Sequence, residues 1–139
     1  MRIRPFSVSD TEAVVTLWRA AGLTRPWNDP YRDIERKLTV QPELFLVAEE
    51  ADAVVGTAMG GYDGHRGWLY YLAVAPDHRR EGIGRALVAA VEERLLALGC
   101  PKLNLQVRAD GEEALAFYRD LGYRVDEVAS LGHRLIPDA

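Results

Sequence analysis

Arg79, Arg80, Gly82, Gly84 and Arg85 stand together in the run RREGIGR, and that grouping could bind an anion. A helix that opens inside the run leaves its first N–H groups without intrahelical partners, and its dipole adds partial positive charge at the same end. Glycine at 82 and 84 removes side chains that would hold a ligand away from the backbone. The three arginines add fixed charge. Such a loop suits a diphosphate. The same residues also fit a plainer description, a glycine-containing turn with surface arginines. Two phosphate loops are excluded. Gly82 and Gly84 give G-x-G, but Leu87 stands where the dinucleotide fingerprint needs its third glycine, and no Gly-Lys-Ser/Thr closes a P-loop.

The elements that must position this run lie on either side of it. Trp68 to Val74 (WLYYLAV) is apolar or aromatic throughout, which predicts a strand covered on both faces. Pro76 ends it. Ile83, Leu87, Ala90, Val91, Leu95 and Leu98 recur at helical spacing, and Gly99 falls where a C-terminal glycine belongs. Lys102 to Val107 alternates as a strand, and Glu112 to Leu121 reads as a short helix closed by Gly122.

Upstream, Arg2 to Phe6 predicts an edge strand, because Pro5 fits poorly in a central one. Ser9 with Glu12 has the spacing of a capping box, followed by a face of Val14, Leu17, Trp18 and Ala21, with Gly22 ending the helix. Asp29 and Pro30 predict the start of a second helix, with Tyr31, Ile34 and Leu38 inward and Pro42 as its stop. Leu44 to Ala48 and Val54 to Gly60 read as a hairpin pair. Tyr123 to Ala129 and Leu131 to Ile136 read as two final strands.

Composition narrows the function classes. The chain has 139 residues, 48% hydrophobic and 27% charged, which predicts one globular domain over residues 1–139. No apolar run approaches the roughly 20 residues that span a bilayer, and MRIRPFSVSD lacks the apolar core of a signal peptide. The expectation is a cytoplasmic protein with no membrane partner. Cys100 is the sole cysteine, so no internal disulfide forms and no metal site is expected; burial as a small apolar side chain is its expected fate. A formal net charge of −4 argues against nucleic-acid binding, which needs clustered basic residues.

The run R79-R80-E81-G82-I83-G84, preceded by LAV-x-P and followed by a long helix, resembles the R/Q-x-x-G-x-G/A signature of the GCN5-related N-acetyltransferases, the GNAT superfamily. LNLQV (103–107) with A-L-A-F-Y-R-D-L-G-Y (114–123) resembles that family's second coenzyme A segment. The resemblance covers nearly the whole chain and is closest to small bacterial members. It implies an α/β (α+β) GNAT fold: a mixed, mostly antiparallel sheet of six to seven strands flanked by four helices.

The resemblance also implies acetyl-coenzyme A as cosubstrate and direct attack by an acceptor amine. The backbone of Leu72, Ala73 and Val74 would take the pantetheine arm and polarise the thioester carbonyl. The loop of Arg79, Arg80, Glu81, Gly82, Ile83, Gly84 and Arg85 would hold the pyrophosphate. Tyr118, at the family's tyrosine position, would protonate the leaving thiolate. Three positions depart from the pattern: Trp68 and Gln106 stand where other members carry Glu, and Gly111 where many carry Asn. A lysine-type amine has a pKa of about 10.4 and must lose a proton, leaving Asp63, His65, Glu35 or water as candidate bases.

Acceptor selection is expected from the two N-terminal helices and the segments 23–30 and 61–67, through Trp27, Asn28, Tyr31, Asp63 and His65. Arg25, Arg32 and Arg66 would suit an acceptor carboxylate. The acceptor is expected to be a small-molecule or peptide amine, and a homodimer through the last strands is compatible with the pattern. Two other readings stay open: an enzyme acting on protein N-termini or lysines, and a non-catalytic acyl-coenzyme A sensor.

Overall fold

The computed structural model describes residues 1–138. In chain order they form β1 (Arg2–Pro5), α1 (Thr11–Ala20), α2 (Pro30–Lys37), β2 (Phe45–Glu50), β3 (Ala53–Tyr62), β4 (Gly67–Val74), α3 (Ile83–Ala97), β5 (Leu103–Leu105) and α4 (Glu112–Asp120). The sheet order is β1-β2-β3-β4-β5. β1 to β4 pair antiparallel, and β5 pairs parallel to β4. This is the mixed, mostly antiparallel sheet with four helices that the sequence leads one to expect.

The strand count differs: five among the described residues, not six to seven. Residues 123–129 and 131–136 carry no strand pairing, and Val125, Val128, Leu131, Leu135 and Ile136 are all exposed. A strand needs a neighbour for its N–H and C=O groups and a surface to cover its apolar face; a sequence pattern supplies neither. β5 is likewise shorter than Lys102 to Val107.

Local chemistry explains most element ends. The turn before α1 is closed by Asp10, whose carboxylate accepts the Ser7 N–H at 2.8 Å, rather than by the Ser9–Glu12 pair. Arg4 donates two hydrogen bonds to the same carboxylate, at 2.8 and 2.9 Å, tying β1 to the start of α1. That guanidinium holds the Asp10 carboxyl below its usual range. Asp29 accepts the Tyr31 amide at 2.9 Å with Pro30 opening α2, as expected, but α2 ends at Lys37, well before Pro42. Ala51 and Asp52 both have positive φ, 50° and 64°, as a tight hairpin turn between β2 and β3 requires.

α3 covers one face of the sheet, and α1 with α2 covers the other. Leu44, Leu46, Ala48, Val55 and Leu69 pack with Ile83, Leu87, Val88, Val91 and Leu95 of α3. Phe45, Val47 and Met59 pack with Val14, Val15, Leu17, Trp18 and Ile34. Leu98, expected on the inner face of α3, is half exposed. Gly56, Gly60 and Gly67 let α3 approach closely: a Cβ there would lie 2.9, 2.9 and 2.8 Å from Leu87, Val91 and Leu95 in turn. These leucine and valine contacts recur every fourth residue, so one ridge of α3 presses on a track of bare backbone. Cys100 is buried, as expected. Among the described residues no helix is long and apolar enough to cross a membrane.

Candidate functional site

β4 parts from its neighbour halfway along. It pairs with β5 only at Gly67, Trp68 and Leu69, so from Tyr70 to Val74 that edge has no strand partner among the described residues. On its other edge β4 follows β3 with a bulge. Thr57 faces Ala73 and Met59 faces Tyr70, leaving Tyr71 and Leu72 opposite Ala58. Tyr71 has φ +51°, a rare conformation for an aromatic residue. The Ala75 N–H donates to the Val55 carbonyl at 2.8 Å. Strand alternation therefore turns the Ala73 amide towards β3 and the Leu72 and Val74 amides to the open side. β4 is covered on both faces, as expected: Leu69, Leu72 and Val74 pack with the α3 cluster, Tyr71 and Ala73 with the α1 and α2 cluster, and within the strand only Tyr70 is exposed.

The open edge runs into the glycine loop. Arg80 (φ +66°) and Gly82 (φ +81°) turn the chain before Ile83 begins α3. Ala86 N–H bonds to the Gly82 carbonyl at 3.0 Å, so the amides of Ile83, Gly84 and Arg85 precede the first intrahelical bond. Buried Ile83 anchors the turn, while Arg79, Arg80, Glu81, Gly82 and Arg85 are exposed. Glu81 is drawn to His78, 3.3 Å away. A Cβ at Gly82 would meet nothing within 4 Å; one at Gly84 would lie 3.3 Å from the Phe117 ring and 3.6 Å from Val74. Gly84 thus sits where β4, α3 and α4 meet. Bare amides, positive charge and open space fit a diphosphate.

Tyr118 belongs to the same apolar cluster as Leu72, Val74, Leu103 and Leu105, which lie on the two diverging strands. Its ring meets Phe117 and Tyr123 edge-on, with centroids 5.1 and 5.7 Å away. Burial pushes its phenol up to about 12. Gly111 leaves no room for the Asn of other members without adjustment, since a Cβ would lie 3.0 Å from Val107 and 3.1 Å from the Arg108 carbonyl. Gln106 donates to Ser130.

Four of the expected acceptor residues are not brought together. Asp63 accepts the amides of His65 and Arg66, both at 2.8 Å, so it shapes the turn between β3 and β4. His65, exposed on that turn, lies beyond the first residue of β4, Gly67, which is itself about 13 Å from Tyr71 at the rise of a strand. The Tyr31 hydroxyl donates to Glu12 at 3.0 Å, with Arg19 over its ring, and Trp27 is 56% exposed. Glu35 is exposed on α2. Arg25 donates to the Gly22 and Thr24 carbonyls, and Arg66 to that of His65, so both side chains are turned to nearby backbone.

The sequence reading missed what lies directly behind the bulge. The Tyr71 hydroxyl donates to Asp33 at 2.6 Å. The amide side chain of Asn28 reaches the same carboxylate oxygen at 3.3 Å. Thr57 donates to the Tyr71 carbonyl at 2.8 Å and accepts from Trp18 at 2.9 Å. Thr57 was the available signal, a lone hydroxyl inside the apolar strand VVGTAMG. Nothing in the sequence pairs Asp33 with Tyr71. The tail also closes on α2: Asp138 accepts from the Asp29 N–H, Arg36 and Arg134 at 2.7, 2.6 and 2.8 Å. Those donors, Arg36 first, hold its carboxyl well below the usual range.

Two other features compete less well. A concavity of about 620 Å³ lies between α1 and the β2–β3 turn and includes Glu12, Thr16, Asp52 and Pro76; we place the site at the strand divergence instead, because unpaired amides and the glycine loop converge there. Glu50, His78 and Glu81 bring ligand atoms within 4.8 Å of one another, but His78 touches both carboxylates, at 3.5 and 3.3 Å, in contacts that need no cation.

Comparison with known proteins agrees with this fold. The family model described as Acetyltransferase (GNAT) family matches residues 12–123, which span the bulge, the glycine loop and Tyr118. An acetyltransferase of Sodalis glossinidius (strain morsitans) is 55% identical over 139 residues, 99% of this chain and 98% of that one. Among solved structures, Ard1 from Thermoplasma volcanium aligns with a TM-score of 0.74 at 29% identity, covering 90% of this chain and 83% of its own. The ribosomal-protein-S18-alanine N-acetyltransferase from Escherichia coli aligns with a TM-score of 0.73 at 26% identity, covering 87% and 76%. A family match over most of the chain, and a relative sharing more than half its residues from end to end, place the protein: it belongs to the acetyltransferase (GNAT) family and is an acyltransferase.

Proposed function

We propose that the chain is a single-domain, cytoplasmic N-acetyltransferase that moves an acetyl group from acetyl-coenzyme A to a primary amine by direct attack. One observation carries the reading: the unpaired edge of β4 runs from the bulge to Val74 and ends beside the bare amides of the glycine loop, where a Cβ on Gly84 would lie 3.6 Å from the Val74 side chain. Acetyl-coenzyme A, when bound, supplies the acetyl thioester. The amides from Arg80 to Arg85 hold the pyrophosphate, and the edge from Leu72 through Ala73 to Val74 guides the pantetheine arm. The Leu72 amide donates to the thioester carbonyl oxygen, a contribution of about 3 kcal/mol to the barrier for donors of this kind.

Tyr118 gives its proton to the sulfur as the carbon–sulfur bond breaks. A thiol has a pKa of about 8.5, and a phenol pushed up to about 12 is still protonated at neutral pH. The acceptor nitrogen bonds to the carbonyl carbon and its surplus proton leaves through water, because Asp63, His65 and Glu35 are exposed and two of them sit on the distant hairpin turn. The acceptor we favour is a polypeptide amino terminus. Trp27 and Tyr31 make no closed pocket, with Trp27 turned outward and Tyr31 held by Glu12, and the similarity to the ribosomal-protein-S18-alanine N-acetyltransferase points the same way.

The test is thiol release from acetyl-coenzyme A against a panel of peptides, amino acids and other amines. Peptides with free amino termini should be acetylated fastest. Tight coenzyme A binding with no thiol release from any amine would instead support an acyl-coenzyme A sensor. We also propose a homodimer, supported by the edge of β5 that has no strand partner among the described residues and by the exposed apolar side chains between Val125 and Ile136. Light scattering should then give twice the chain mass, and Leu131→Lys should halve it; a wild-type monomer at high concentration would end that idea.

A further inference from the structure

Tyr71 has a backbone conformation that its side chain does not favour. At φ +51° the Cβ crowds the backbone, and residues so placed persist only where their surroundings impose it. Three elements converge to do so. The Tyr71 ring stacks on Trp18 of α1, centroids 3.7 Å apart and 12° from parallel. Its carbonyl accepts the Thr57 hydroxyl of β3 at 2.8 Å. Its own hydroxyl donates to Asp33 of α2 at 2.6 Å.

Thr57 is the centre of this arrangement. It is fully buried, in a strand where valine would fill the same space. The hydroxyl adds two bonds that valine lacks: it accepts the Trp18 indole N–H at 2.9 Å and donates to Tyr71. A buried polar group so completely partnered fixes a single arrangement of its neighbours.

We infer that Trp18, Thr57 and Asp33 are positioning residues, a hydrogen-bonded chain that holds Tyr71 in the bulge and thereby aims the Leu72 amide. The inference rests on the reading above, in which that amide meets the thioester. The geometric reason is the period of a strand. Removing a bulge reverses the facing of every residue on one side of it. Pairing of Gly67 to Leu69 with β5 fixes the first half of β4. The reversal therefore falls on Leu72 to Val74, and the Leu72 amide turns towards β3.

The test compares Thr57→Val, Thr57→Ser and Asp33→Ala with the wild type. Thr57→Val should lower kcat about a hundredfold, the loss typical of one oxyanion donor. The KM for acetyl-coenzyme A should change less than about threefold, because the diphosphate grip at residues 80–85 is untouched. Thr57→Ser keeps the hydroxyl and should recover most of the rate. A second readout needs no ligand: the backbone carbon chemical shifts of Tyr71 in the free protein should move from left-handed towards extended values in Thr57→Val. Asp33→Ala, on a half-buried surface, should move them in the same direction and covers the case in which Thr57→Val does not fold. Tyr71 shifts unchanged in a folded variant, or a normal kcat in Thr57→Val, would overturn the inference. Failure of the functional reading is separate: the wild type itself would then release no thiol, while the shift measurement would still report on the bulge.

Discussion

Gly84→Glu is expected to lower coenzyme A affinity by at least about a hundredfold while the protein stays folded. Gly84 lies in the first turn of α3, between amides that precede any intrahelical bond. A glutamate there adds negative charge where the proposed reading puts the diphosphate, and like charges at that range in a partly dry site repel strongly. It also adds bulk: the Cβ alone would lie 3.3 Å from Phe117 and 3.6 Å from Val74. Gly84→Ala separates the two effects. Its methyl meets only the end of the Phe117 ring, which can give by a few tenths of an ångström, so affinity should stay within about tenfold of wild type. Isothermal titration with coenzyme A reads both variants, and thermal melting checks the fold. Unchanged binding by a folded Gly84→Glu would remove the loop from the site.

Tyr118→Phe is expected to slow turnover about a hundredfold with little change in coenzyme A affinity. General acids commonly contribute 10²- to 10⁴-fold, and the lower end applies because a thiolate is already a fair leaving group. The ring's packing against Phe117 and Tyr123 survives the change, so binding should too. The pH profile gives a second check. An acid works only while protonated, and burial pushes this phenol up to about 12. The wild-type rate should therefore not fall through loss of the Tyr118 proton between neutral pH and about pH 10, the ordinary tyrosine range. A rate in Tyr118→Phe equal to wild type under conditions limited by chemistry would assign the proton to another donor.

Much of the site was legible in the chain. The role expected of Tyr118 came from the resemblance to the family, whereas the glycine loop and the long helix after it follow from local patterns: paired glycines among arginines and a 3.6-residue apolar period. Each depends on neighbours within a turn or two, which is the range over which sequence dictates conformation. The hairpin turn at Ala51 and Asp52 and the cap at Asp29 were legible for the same reason. The Ser9–Glu12 box was not, because Arg4, distant in conformation though near in sequence, makes Asp10 the better cap.

Pattern failed where partners come from afar. Residues 123–129 and 131–136 were expected as strands, yet they form no strand pairing in the described chain. Asp63 and His65 looked suitable by residue type, but the length of β4 carries them away from the bulge. Gly56, Gly60 and Gly67 read as ordinary strand and turn residues until α3 is laid across them. The sequence by itself determined the glycine turn and the helix that opens in it, since both are set by the backbone chemistry of a few adjacent residues. Only the tertiary structure decided that β4 leaves β5 after Leu69 and that Tyr71 is forced into a bulge, because those outcomes depend on Trp18, Asp33 and Thr57 meeting one residue from three separate elements.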